Sequence, residues 1–204
     1  ITPQLGLVPL GPDPGSGLWE FCHPRTGARP QRAADGRLAC VDDTGIVFVL
    51  VPGGTFYRSY DGVSVGYTDQ SYPATVSDFR LDKYEVTVGR FRKFKAAWDA
   101  GWRPAAGSGK HAHLNGGPGL VEAGGGSFEP GWDLATNASV VPTDTNLSCS
   151  STQQTWTPSA GANENRPINC VKRSEVAAFC TWDGGFLPSE AEWNYAAAGG
   201  GDQC

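Results

Sequence analysis

The stretch FLPSEAEWNYAAAGGG, Phe186 to Gly201, spells a short helix with its own start and stop. After Pro188, Ser189 and Glu192 stand at capping-box spacing: the hydroxyl accepts from a first-turn N–H, and the carboxylate reaches back to the cap. Trp193 and Ala196 or Ala197 fall on one face at helical spacing, and the glycines from Gly199 end the helix. A tryptophan on so short a helix calls for a partner surface. Yet the sequence stops at Cys204, a few residues later.

With 204 residues the chain is long enough for one sizeable core or two small ones. Charged residues make up 18% and hydrophobic ones 39%, with 28 glycines and 15 prolines, a balance that suits a loop-rich globular protein better than a helical bundle or a disordered tail. Seven tryptophans point the same way, since large aromatics supply buried area where regular structure is scarce. A net charge of −5 and the lack of any basic run argue against nucleic acid as a partner. No apolar run approaches the roughly 20 residues of a membrane helix. The longest, IVFVLVP at Ile46–Pro52, reads as a buried strand by its length and β-branching. The sequence opens at Ile1 with neither methionine nor signal peptide, so a processed, trimmed or truncated N-terminus is expected, with room for a lost export signal.

Six cysteines suggest an oxidising compartment. Proximity in sequence favours two bridges, Cys22 with Cys40 and Cys149 with Cys170. The absence of any C-x-x-C spacing disfavours structural zinc.

Residues 1–41, rich in Pro, Gly and Arg, read as a lead-in segment of turns and short strands. IVFVLVPGGTF at 46–56 gives a strand and a turn, with Gly53-Gly54 expected to supply positive φ. TVSDFRLDKY alternates as one half-buried strand. From Thr87, an expected N-cap, Phe91, Phe94 and Trp98 recur at helical intervals up to Gly101. Residues 103–165 lack periodicity and read as a long surface excursion, tied down by Trp132, Trp156 and the Cys149 bridge. RPINCV then reads as a strand and Ser174–Trp182 as a helix. The residues alone describe a loop-rich, disulfide-bearing α+β domain.

Chemistry-bearing residues are sparse. His111 and His113 form an H-x-H pair that could face a metal from an extended segment, but without a neighbouring carboxylate or cysteine pattern a solvated loop pair is expected. His23, beside a proline, reads as a turn residue. Asp82, Glu85, Glu190 and Glu192 are acid/base candidates by type, although Glu192 has a capping role and Glu190 suits a helix N-terminus through the dipole. The glycine clusters lack the strand–GxGxxG–helix context of a phosphate cradle. Asn137 and Asn146 open N-x-S sequons that a Ser/Thr/Asn-rich loop produces readily by chance.

Four stretches, taken in order, resemble the formylglycine-generating enzyme (sulfatase-modifying factor) family: VFVLVPGGTF at 47–56, FRLDKYEVTVGRFRKF at 79–94, NRPINCVKRSEVAAFCTWDGG at 165–185 and the opening stretch. The last is close to the family's R-L-P-T-E-A-E-W-E signature. Gly53, Gly54, Glu85, Cys180, Trp182, Pro188, Ser189, Glu192 and Trp193 occupy motif positions, all of them structural. Phe186 stands where the family usually has Arg, and Tyr57-Arg58 replaces Met-Gly.

The resemblance implies a C-type-lectin-like variant of an α+β fold and a copper-dependent oxidoreductase that converts a protein cysteine in C-x-P-x-R to formylglycine, with calcium supporting the fold. It also implies that residues 42–204 are the N-terminal part of the domain, a fragment incomplete at its C-terminus. The Y-P-W-G, G-N-V-W-E-W and R-G-G-S-W segments, the copper cysteines and the terminal G-F-R are not in this sequence. Neither catalytic, copper nor calcium residues can therefore be assigned to this chain. Trp182 and Trp193 are expected to face the missing half, where the disulfide partner of Cys180 is also expected. Iron-dependent sulfoxide synthases of the family need an H-x-x-x-H-x-E motif that does not occur here. The expected partner is a protein or peptide substrate, and the expected location is secreted, periplasmic or envelope-associated. The alternative is a non-catalytic binding module that displays the 103–165 excursion as a recognition surface.

Overall fold

The computed structural model of the chain describes residues 6–199 apart from positions 42, 61, 67 and 123. It divides into two compact units, one running up to Lys83 and resuming at Pro188, the other Tyr84–Leu187. The architecture is a set of small antiparallel sheets and a few short helices.

The first unit contains β1 (Val8–Pro12), β2 (Trp19–Cys22), β3 (Gln31–Arg32), β4 (Leu38–Ala39), β5 (Val47–Val51), β6 (Gly54–Tyr57), β7 (Pro73–Val76) and β8 (Phe79–Asp82). The main sheet runs β1-β2-β5-β8, and β3-β4 and β6-β7 form separate hairpins. The apolar run VFVLV becomes an inner strand, with Phe21 opposite Phe48 on one side and Leu81 opposite Val49 on the other. The lead-in segment thus contributes two strands to the main sheet.

TVSDFRLDKY is not one strand but parts of two, in different sheets. The break falls at Ser77-Asp78, where the Asp78 carboxylate accepts the Gly53 N–H at 2.7 Å and bends the chain from β7 into β8. Gly53 and Gly54 do not have positive φ. They are needed for close approach: a Cβ on Gly53 would run into the Val76 carbonyl, and one on Gly54 into the Tyr195 hydroxyl.

The expected Cys22–Cys40 bridge does not form; both side chains are thiols. Pairing in the sheet turns Cys22 inward, where it is fully buried with Sγ 3.9 Å from the Ala28 carbonyl, while Cys40 lies exposed after β4. Proximity in sequence was outweighed by the inward facing that strand pairing imposes on Cys22.

The second unit is built on α1 (Val88–Asp99), α2 (Asp144–Leu147) and α3 (Arg173–Trp182), with a 3-10 turn at Leu134–Ser139. Thr87 caps α1 by accepting from the Arg90 N–H at 3.3 Å, and Gly101 follows its end at φ 96°. Phe91, Phe94 and Trp98 meet Phe179 of α3 in an aromatic core, with Phe94 5.8 Å and Phe91 5.8 Å from the Phe179 ring. Trp182 finds partners in this same unit, 6.0 Å from Phe94 and 6.0 Å from Phe179, and is half-buried there. At the start of α3, Glu175 is buried. It accepts the Lys172 N–H at 2.9 Å and the Val141 N–H at 3.3 Å.

The 103–165 segment is more than a surface excursion. Trp132, Val140, Leu147 and Trp156 are core residues of the unit. Trp156 donates its indole N–H to Asp144 at 3.0 Å, and the Arg92 guanidinium lies 4.2 Å over its ring while pairing with Glu164 at 2.8 Å. Dispersed aromatics with satisfied polar edges hold an irregular segment that periodicity cannot reveal. Cys149 and Cys170 are joined, their Cα atoms 5.6 Å apart. RPINCV is not a strand: it makes a single bridge, Pro167 to Thr87, and Cys170 sits at φ 59° in the left-handed region, which extended pairing does not tolerate. Among the described residues no helix is long and apolar enough to cross a membrane.

Candidate functional site

The family-motif residues of the first unit gather at α4 (Glu190–Ala197). Ser189 accepts from the Glu192 N–H at 3.2 Å, and Glu192 reaches back to the Ser189 N–H at 2.7 Å and to its hydroxyl at 2.8 Å. Glu192 is buried by this role, whereas Glu190 is exposed in the first turn. The helix turns Ala191, Tyr195 and Ala196 toward Val51, Phe56, Val76 and Phe79, and the Phe56 and Tyr195 rings lie 5.4 Å apart. The buried face is therefore that of Tyr195, not that of Trp193, which is 61% exposed. Spacing alone cannot choose between the two faces, because both carry an aromatic and an alanine.

The second unit holds a cluster of histidine and phenylalanine rings around the H-x-H pair. His111 is only 6% exposed, not solvated, while His113 is exposed. His111 Nδ1 lies 2.9 and 3.0 Å from the two Glu129 oxygens, and its backbone N–H donates to the same carboxylate at 2.7 Å. Leu120 adds another N–H at 2.9 Å. Burial alone would raise the Glu129 carboxyl. The N–H donors of Leu120 and His111, together with the imidazole, outweigh it and hold the group below its ordinary value. An ionised carboxylate only accepts, so Nδ1 of His111 carries a proton. Phe186 completes the cluster, its ring 4.6 Å from His111 and stacked 5.2 Å from His113. Gly119 at φ +100° leaves the space that Glu129 fills.

Glu129 thus closes the glycine-rich loop from 111 to 129 onto itself. The sequence carried no sign of this role, because the partners are 18 residues apart with no periodicity between them. His23 is a turn residue, accepting the Arg25 N–H through Nδ1 at 3.3 Å. Asp82, at the end of β8, and Glu85, in the loop before α1, are both exposed. Both sequon asparagines are engaged by the fold: Asn137 accepts the Trp132 indole N–H at 3.1 Å, and Asn146 donates to the Val141 carbonyl at 2.8 Å.

Copper of the kind implied by the resemblance needs soft donors held close together. Among the described residues no three or more His, Cys, Asp or Glu side chains are grouped so as to hold a metal ion, and Cys149 and Cys170 are taken up by their disulfide. Among the described residues no such cluster is therefore in place for a metal ion.

Residues 40–204 match the sulfatase-modifying factor enzyme 1-like domain. A formylglycine-generating enzyme of Thermomonospora curvata is 30% identical over 165 residues, covering 76% of this chain and 50% of that protein. That of Mus musculus is 29% identical over 74% of this chain and 40% of its own length. The Streptomyces coelicolor protein is 31% identical over 74% of the chain and 47% of its own length. The chain spans about half the length of these relatives or less. With the glycine pair, the capped α4 and the α1–α3 core all falling inside the matched residues, the chain belongs to the formylglycine-generating enzyme (sulfatase-modifying factor) family.

Proposed function

We propose that residues 42–204 are the N-terminal part of a domain that oxidises a protein cysteine to formylglycine, with residues 1–41 as its lead-in. On this reading the copper cysteines, and the calcium ligands that support a C-type-lectin-like fold, belong to the part of the family domain that this sequence does not span. The reading is supported above all by the family match over residues 40–204 together with coverage of only 40% to 50% of three relatives named formylglycine-generating enzyme. The exposed Trp193 on the signature helix agrees with it, since that ring is 61% exposed and lies outside the described core packed on the helix. In the full-length protein the copper ion would supply one-electron chemistry with O₂, and the substrate would be a cysteine-containing protein or peptide met in a secreted, periplasmic or envelope setting.

The test compares two proteins: this chain, and the same chain extended by the remainder of the family domain. Each is incubated with Cu(I), O₂ and a C-x-P-x-R peptide, and peptide mass is followed for thiol-to-aldehyde conversion. The extended protein is expected to convert the peptide and the present chain is not. Turnover by the chain alone would place a copper site among these six cysteines. No turnover by either would remove the oxidase reading.

A further inference from the structure

The family match begins at residue 40, yet β1 to β4 all precede it. Among the described residues of the match β5 is paired only with β8, and its other edge belongs to β2 of the segment upstream. That edge is apolar and unbroken, VFVLV, the kind of exposed strand on which another chain adds readily. β2 occupies it, with Glu20, Phe21 and Cys22 opposite Val49, Phe48 and Val47. The next residues continue the contact, His23 N–H to the Ile46 carbonyl at 2.9 Å and Ala28 N–H to the Asp43 carbonyl at 2.7 Å. β1 then becomes the outer strand, and it is poorly suited to further pairing. Pro9 and Pro12 have no N–H to offer, and the register slips between Pro9 and Gly11.

The segment is held by a charge network that it shares with the matched residues. Glu20 is fully buried in β2 and pairs with Arg32 at 2.6 Å and with Lys83, which also holds Asp13 at 2.5 Å. Arg32 further donates to the Leu10 carbonyl at 3.2 Å and the Gly36 carbonyl at 2.6 Å, tying the two hairpins of the segment together. A buried carboxylate with two cationic partners is costly to separate from either of them.

We propose that residues 6–41 are an intramolecular edge cap: β2 takes the place on β5 that a second copy of this chain would otherwise fill, and β1 ends the sheet. Two experiments on the full chain test this. In the first, a protease site is placed at the exposed Val41 and the folded protein is nicked. The N-terminal fragment is expected to stay bound on gel filtration, with β5 amides still protected from exchange. In the second, Glu20→Ala with Lys83→Met loosens the cap. Exchange at Val47–Val51 is expected to rise by about tenfold or more, and sedimentation is expected to become concentration-dependent, reversed by adding the 6–41 peptide. Departure of the nicked fragment with β5 protection unchanged would overturn the proposal. So would a folded double variant that loses β5 protection without self-association. If the double variant does not fold, the nicked protein decides alone: fragment retained with β5 protected supports the cap, and fragment lost without self-association refutes it.

Discussion

A methyl group added at Gly54 would fall on the Tyr195 hydroxyl, within a core where Tyr195 is already packed on Phe56. Gly54→Ala is expected to cost about 1–3 kcal/mol in urea unfolding, the usual range for overpacking. Tyr195→Phe in that background should recover part of the loss by removing the clashing oxygen; no recovery would show that the glycine is needed for its backbone instead. Glu129 gives a prediction of opposite character, read against pH. Its folded carboxyl is depressed, so its contribution is fully present above the unfolded value of about 4.3 and is lost as pH falls through the folded one. The stability advantage of the natural chain over Glu129→Gln should therefore be greatest near neutral pH and shrink below pH ~4. An advantage independent of pH would mean that packing, not charge, holds the 111–129 loop. The glycine pair was visible in the sequence as a motif but its reason was not: φ is ordinary, and the constraint comes from atoms far away in the chain. Glu129 was not visible at all, for the same physical reason.

Among the elements, those that announced themselves carry local signals. α1 and α4 begin at residues whose side chains satisfy first-turn N–H groups, and such caps are written within four residues of sequence. Ser189→Ala should lower stability by roughly 1 kcal/mol, measured as a shift in urea midpoint at unchanged slope. Glu192 keeps its bond to the residue-189 N–H in either variant, and glycine is a better N-cap than alanine, so Ser189→Gly should cost less than Ser189→Ala. Equal losses would indicate that the hydroxyl contributes through Glu192 rather than through the cap. The elements that misled are those decided by pairing: the alternating 75–84 stretch divides between two sheets at Asp78, and RPINCV gives one bridge because Cys170 is left-handed.

Across the whole molecule, the largest exposed ring on the signature helix is Trp193. In this chain Trp193→Phe is expected to change stability by no more than about 0.5 kcal/mol and to remove a red-shifted, acrylamide-quenchable component of the fluorescence. In the protein extended through the rest of the family domain, that component should be shielded. Quenching that persists unchanged in the longer protein would show that the ring faces solvent by design.

The sequence by itself determined the family, the capped helices and the mixed helix-and-sheet class, because motifs, caps and short-range periodicity are properties of neighbouring residues; of the two bridges that proximity in sequence favoured, only Cys149–Cys170 formed. Only the tertiary structure decided that Cys22 is an inward thiol, that Tyr195 rather than Trp193 is the buried ring of α4, that Trp132, Leu147 and Trp156 make the 103–165 segment part of a core, and that Glu20 and Glu129 are fastened by partners distant in the chain. Which face is buried and which charges are paired depend on what else arrives at that place. That is set by the packing of segments far apart in sequence, and no local pattern records it.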